Sequence, residues 1–97
     1  MKATIHPDAA HDIAEAAAFY EREGSPQLAA RFVAEVKRVT HLLLQNPEIG
    51  TPRTNGRRFF TIKVFPYGLI YRQVPDGVFI LVVRRHRRRP KFGAERL

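Results

Sequence analysis

Ninety-seven residues, 44% hydrophobic and without a single cysteine, suffice for one modest core and exclude a disulfide framework or a thiolate metal site. No apolar run approaches the roughly 20 residues that span a bilayer, and the opening Met1-Lys2-Ala3-Thr4-Ile5-His6 lacks the apolar stretch of a signal peptide, so a single cytoplasmic domain over residues 1–97 is expected. Seventeen basic against nine acidic residues give a net charge of +8, which points toward a polyanionic partner and says nothing about fold.

Along the chain, Thr4-Ile5 reads as a short opening strand. His6-Pro7-Asp8 then starts a helix, with Pro7 at the first helical position, where its missing N–H costs nothing. Helical spacing puts Ala9, Ile13, Ala16, Ala17 and Tyr20 on one face and Asp8, His11, Asp12, Glu15 and Arg22 on the other. Phe19 sits on the flank of the polar face, and Gly24 ends the helix near Glu23. Ser25-Pro26 restarts the pattern as N-cap and first-turn proline. Leu28, Phe32, Val36, Val39 and Leu43 recur at spacings of three and four, widened by Val33 and Leu44, until Asn46-Pro47 stops the helix. A link of two or three residues makes the two helices an antiparallel hairpin.

Residues 48–56 have loop composition. Three strand-like runs follow. Residues 58–65 place Phe60, Ile62 and Val64 on one face and Phe59, Thr61, Lys63 and Phe65 on the other. Pro66-Tyr67-Gly68 bends the chain into residues 69–74, and Pro75-Asp76-Gly77 is a hairpin turn into residues 78–83. That last run is apolar throughout, as in a central strand covered on both faces. The expected fold is α+β in the order β-α-α-β-β-β. Its N-terminal helical hairpin packs on one face of a small, mainly antiparallel sheet of three to four strands. So short a chain leaves the other sheet face incompletely covered, with Phe59, Phe65, and Tyr71 or Phe79 as candidates for an open patch that a partner covers.

The charge is segregated. Residues 1–48 hold five Lys/Arg against seven Asp/Glu, a net of −2, whereas residues 49–97 hold twelve against Asp76 and Glu95, a net of +10. Its densest part is Arg84-Arg85-His86-Arg87-Arg88-Arg89-Pro90-Lys91-Phe92, a basic tail from about residue 84 that begins where the last strand ends. Arginine suits bidentate contact with phosphate or carboxylate. In a strand Arg84, His86 and Arg88 point one way and Arg85 and Arg87 the other. Arg58, Lys63 and Arg72 form a second basic group on the preceding runs and would build a cationic concavity if they shared a face with the first. His6, His11 and His41 fall at surface positions, and His86, among the arginines, is the histidine of functional interest. Neither a metal site nor a cofactor is expected, and no Ser-His-Asp set or phosphate-cradling glycine loop is present.

Several fragments, in order, form a known pattern. They are Pro7-Asp8-Ala9 with Asp12-Ile13, Phe19-Tyr20-Glu21, and Ser25-Pro26 through Ala30-Arg31-Phe32 with Glu35. Asn46-Pro47-Glu48-Ile49-Gly50, Phe65-Pro66-Tyr67-Gly68-Leu69-Ile70-Tyr71-Arg72 and the ending from Val82-Val83-Arg84 to Pro90 complete it. Over nearly its whole length the chain resembles the RelE/ParE superfamily of toxins from bacterial type II toxin–antitoxin systems. The resemblance implies a growth-arresting toxin held inactive by a small antitoxin with an acidic tail, and Phe19, Arg58, Lys63 and Arg72 are the candidate antitoxin contacts. The helix spacing and the Phe65–Arg72 motif look more like the ParE side, which inhibits DNA gyrase. Arg84, Arg85, Arg87, Arg88, Arg89, Lys91 and Phe92 are then the candidate target contacts. The alternative is RelE-like, ribosome-dependent cleavage of mRNA, with Arg72, His86 and Arg87 as the catalytic set. Phe92, which has no hydroxyl, departs from that pattern. A third reading is an inactive member that only binds its antitoxin.

Overall fold

Both helices begin and end on local chemistry. In the computed structural model, which describes residues 1–86, 93, 95 and 96, α1 runs Pro7–Glu23 and α2 runs Pro26–Gln45. The His6 Nδ1 caps α1 by accepting the Asp8 N–H at 3.0 Å, and the Ser25 Oγ caps α2 by accepting the Leu28 N–H at 3.0 Å. Gly24 and Asn46 close the two C-termini through their N–H groups, bonded to the Tyr20 and Leu42 carbonyls. His6 is therefore not a free surface histidine: it caps the helix and stacks on Phe79 with centroids 5.8 Å apart. No helix among the described residues is long and apolar enough to cross a membrane.

The helical hairpin lies on a five-stranded sheet of β1 (Lys2–Ile5), β2 (Thr51–Pro52), β3 (Arg57–Thr61), β4 (Tyr67–Val74) and β5 (Gly77–Arg85), in the order β1-β5-β4-β3-β2. The α+β architecture is the expected one, with one more strand than the upper expectation. The addition is β2, a two-residue edge strand inside the segment read as loop, pairing Thr51 with Phe59 and Pro52 with Arg58. All neighbours are antiparallel except β1 and β5. That parallel pairing needs glycine at position 77. Its φ is 152°, and a Cβ there would lie 1.8 Å from the Lys2 carbonyl oxygen.

One apolar core fills the space between helices and sheet. Phe32, Val36, Val39 and Leu43 of α2 and Ala9 and Ala16 of α1 meet Leu69, Tyr71, Val78, Ile80 and Val83. Each fully buried large side chain of this kind contributes about 1.5–3 kcal/mol. A smaller cluster of Ile70, Leu81 and Val82, with Phe59 and Phe79 against it, forms the opposite face. A bulge opposite the Ile70/Tyr71 step sets this division: Ile70 pairs with Val82 but Tyr71 pairs with Ile80. The extra residue, Leu81, shifts the alternation, so Val83 turns toward the helices and Val82 away from them.

The run read as residues 58–65 ends at Thr61, and Lys63–Pro66 form a turn. Val64 stands 80% exposed there at φ 77° instead of on an inner sheet face. The turn swings Phe65 inward, where its ring meets Tyr20 at 5.1 Å and Phe32 at 5.3 Å. Of the aromatic residues expected to lie open, Phe59 and Phe79 are half-buried on the helix-free face, whereas Phe65 and Tyr71 are buried on the helix side.

Tyr71 ties β4 to the end of α2. Its hydroxyl donates to the Pro47 carbonyl at 2.8 Å and accepts the Gly50 N–H at 3.0 Å. Tyr71→Phe is expected to cost about 1–3 kcal/mol, because it strands a buried donor and an acceptor. Burial raises the phenol pKa of Tyr71, and of Tyr20, above the ordinary 10.0. A raised folded-state value contributes stability in full below 10.0 and loses it as pH climbs through the folded value. Urea midpoints of Tyr71→Phe followed from about pH 8 to 11 should therefore fall less steeply than those of the wild type. Parallel alkaline limbs would contradict this.

Candidate functional site

Because β1 ends opposite Ile80, the edge of β5 beyond that point has no neighbouring strand on the β1 side among the described residues. Side chains take over the pairing. Asp12 of α1, read from the sequence as part of the polar face, is only 7% exposed and its Oδ2 accepts the Val83 N–H at 3.0 Å. Arg96 donates to the same oxygen at 2.5 Å and to the Leu81 carbonyl at 3.1 Å. Ala9 and Ala16, three residues before and four after Asp12, bring α1 close enough for its carboxylate to reach the strand.

Beside this clip lies a cleft of about 240 Å³ lined by Asp12, Glu15, Ala16, Phe19, Tyr67, Val83, Arg84 and Arg85. The Arg85 guanidinium lies 4.5 Å from the Phe19 ring centroid, a cation–π contact, and its Nε donates to the Tyr67 hydroxyl at 3.1 Å. That hydrogen bond raises the Arg85 pKa. Phe19 and Arg85, far apart in sequence, therefore form one aromatic–cationic wall.

The helix-free face carries a second basic cluster. The guanidinium groups of Arg53 and Arg84 stand 5.9 and 5.6 Å from the Phe59 centroid, and the His86 ring is 6.2 Å away. Arg84 is 8% exposed, and burial followed by the charge of Arg53 lowers its pKa. Arg72 lies on this face as well, against Phe79 at 5.2 Å. Arg57, opposite Arg72 in the register, donates to the Gly93 and Arg96 carbonyls.

The two faces divide the residues singled out from sequence. Arg85 faces Phe19, while Arg84 and His86 face Phe59, the alternation expected of a strand. Arg72 and His86 are not brought together. Arg72 is paired with Phe79, and His86 lies seven positions along the chain from Phe79, about 23 Å at 3.3 Å per residue. Lys63 sits in the β3–β4 turn beside Arg31, Glu35 and Arg38 of α2, away from both clusters. Arg58 donates to the Glu48 and Gly50 carbonyls at 3.0 and 2.8 Å, which holds the loop after α2. Arg87, Arg88, Arg89, Lys91 and Phe92 lie outside the described residues. Asp12, Arg53, Tyr67 and Arg96 were not singled out. Only Asp12 carried a signal, its i, i+4 register with Ala16.

Ion pairing follows the charge asymmetry. Every ion pair among the described residues uses a carboxylate of α1 or α2, and Arg96 supplies the only cation from beyond residue 48. Arg53, Arg58, Lys63, Arg72, Arg84 and Arg85 have no ion-pair partner among the described residues. Nor does any group of three or more His, Cys, Asp or Glu converge there on a point where a metal ion would sit.

Comparison with known proteins bears on this arrangement. A family model described as ParE toxin of type II toxin-antitoxin system, parDE, matches residues 3–90. Among solved structures, the chain is similar to one from the chromosomal ParDE TA system of P. aeruginosa. The identity is 23% and the TM-score 0.77, over 88% of this chain and 95% of that one. At this identity the likeness concerns the fold. No curated protein sequence is significantly similar to the chain.

Proposed function

Since the chain belongs to the ParE toxin family of type II toxin–antitoxin systems, we propose that it arrests growth by inhibiting DNA gyrase and is neutralised by a small antitoxin with an acidic, partly apolar tail. It acts in this reading as a binding protein without chemistry of its own, in the cytoplasm. The observation that carries the proposal is the segregation of ion pairs: every one among the described residues uses a helix carboxylate, while Arg53, Arg58, Lys63, Arg72, Arg84 and Arg85 take part in none of them. A free chain gains nothing from such self-repulsion, and an acidic partner relieves it.

The cleft beside α1 is the natural seat for the antitoxin tail. Phe19 offers an apolar wall and Arg85 a cation held in place by Tyr67. Lys63, in the β3–β4 turn, and Arg72, on the helix-free face, stand apart from this cleft and are separate candidate contacts for an acidic segment, and Arg58, with its hydrogen bonds committed to loop carbonyls, contributes less. Arg84 and the sequence that follows it, Arg85, Arg87, Arg88, Arg89, Lys91 and Phe92, are the proposed contacts with the target.

Induction of the protein without its antitoxin tests this reading, with plasmid topology and mRNA integrity examined in parallel. Growth arrest with gyrase-trapped DNA breaks and intact mRNA is the expected result. Cleavage within translated codons would replace it with ribosome-dependent ribonuclease activity, and His86→Ala should then abolish the cutting. Unimpeded growth with soluble protein present would leave only antitoxin binding. In a pull-down with the neighbouring acidic reading frame, Phe19→Ala combined with Arg85→Ala should weaken capture by at least about tenfold, since each loses a desolvated contact.

A further inference from the structure

Arg84 is the least expected side chain in the molecule. It carries five N–H donors, is 92% buried as the complement of its 8% exposure, and makes neither a hydrogen bond nor an ion pair among the described residues. Its Nε is fully shielded from solvent and has no acceptor. The charged group that most affects it is another cation, Arg53. Buried donors in native proteins are almost always paired, and an unpaired buried charge ranks among the most destabilising arrangements a fold can hold. A guanidinium kept in this state is waiting for an acceptor from outside.

The surroundings hold it there by design of the strands. Gly68 pairs with Arg84 across β4 and β5, and with Thr61 across β3 and β4. With no side chain at position 68, the Phe59 ring crosses β4; a Cβ on Gly68 would lie 2.4 Å from the ring. The ring thereby reaches the Arg84 guanidinium and also meets that of Arg53, which follows β2. Two guanidinium groups are gathered at one aromatic ring, with His86 at its margin and no carboxylate bonded to either.

We propose that Arg84 and Arg53, gathered on Phe59, form a phosphate-binding site on the helix-free face. A carboxylate would satisfy one guanidinium fork, whereas a phosphate has oxygens for both and matches the doubled positive charge. The phosphate belongs either to a nucleic-acid strand or to a free phosphate. This site is independent of the gyrase assignment, because it rests on the unpaired Arg84 and the placement of Arg53 beside it on Phe59.

Thermal melting of the full-length protein tests the proposal, with inorganic phosphate against sodium chloride at matched ionic strength and against acetate. Phosphate should raise the melting temperature by several degrees beyond chloride, and acetate should not. Arg84→Met should abolish that increment without melting below the wild type, since it removes an unpaired buried cation. Arg53→Gln, at an exposed position, should weaken phosphate binding by at least about tenfold, and it decides the question if Arg84→Met does not fold. An increment equal in wild type and Arg53→Gln would overturn the site, and acetate acting as strongly as phosphate would make it a carboxylate site instead. A short oligothymidylate without terminal phosphates identifies the source. If it displaces inorganic phosphate, the ligand is a strand; if phosphate binds and the oligonucleotide does not, the ligand is a free phosphate.

Discussion

Asp12→Ala is expected to lower the unfolding free energy by about 3–5 kcal/mol, the usual cost of breaking a buried ion pair from one side. The carboxylate has two obligations. It accepts the Val83 N–H at the unpaired edge of β5, and it is the anion for Arg96, whose side chain is itself largely buried. Alanine leaves an orphan backbone donor and takes the nearest carboxylate from a shielded guanidinium. Against a total stability of about 5–15 kcal/mol for a domain of this size, that loss approaches the unfolding threshold. Asp12→Asn retains an acceptor for Val83 and should lose less. Arg96→Met in the Asp12→Ala background should recover part of the loss, since the stranded cation is then gone. Urea denaturation of the wild type, Asp12→Ala, Arg96→Met and the double variant measures the coupling, and a loss below about 1 kcal/mol for Asp12→Ala, within the range of an ordinary surface pair, would refute the clip.

Phe32→Ala should be of similar size, about 3–5 kcal/mol, but through a cavity rather than an unpaired charge. Phe32 is fully buried, with ring centroids 5.4 Å from Tyr20, 5.3 Å from Phe65 and 5.1 Å from Tyr67. Its removal also takes support from the two aromatic residues that shape the β3–β4 turn and the cleft. Tyr67 is the residue whose hydroxyl holds Arg85, so antitoxin capture should weaken at temperatures where the fold persists. Phe32→Leu refills most of the volume and should recover more than half of both effects. If Phe32→Ala were destabilised while capture stayed at wild-type strength, the cleft would not depend on this cluster.

What could be read in advance was local. Pro7, Gly24, Ser25-Pro26 and Asn46-Pro47 each act within a turn of their own position, and the helices begin and end where these residues stand. The three-and-four spacing of Phe32, Val36, Val39 and Leu43 likewise needs no knowledge of what they pack against. Features that depend on distant residues stayed hidden. The polar pattern around Asp12 describes a solvated face, and only the end of β1 five residues into the chain makes that carboxylate a strand partner. Phe65 and Lys63 follow strand alternation on paper, yet the chain leaves the sheet at Thr61 and reverses both. The grouping of Arg53 with Arg84 depends on the absence of a side chain at Gly68, which composition alone reads as a bend.

The four-residue length of β1 has a consequence for self-association. A strand that outruns its neighbour offers an open hydrogen-bonding ladder, the usual template for edge-to-edge aggregation. On β5 beyond Ile80 the Leu81 carbonyl and the Val83 N–H are already taken by Arg96 and Asp12, and two copies approaching edge to edge would in addition bring Arg85 against Arg85, with no Asp or Glu in any strand to neutralise the pair. Like-charge repulsion then works with the side-chain clip against another copy of the chain, and a segment of opposite charge meets no such repulsion. The same charge that suits an acidic partner disfavours edge-to-edge pairing of two copies.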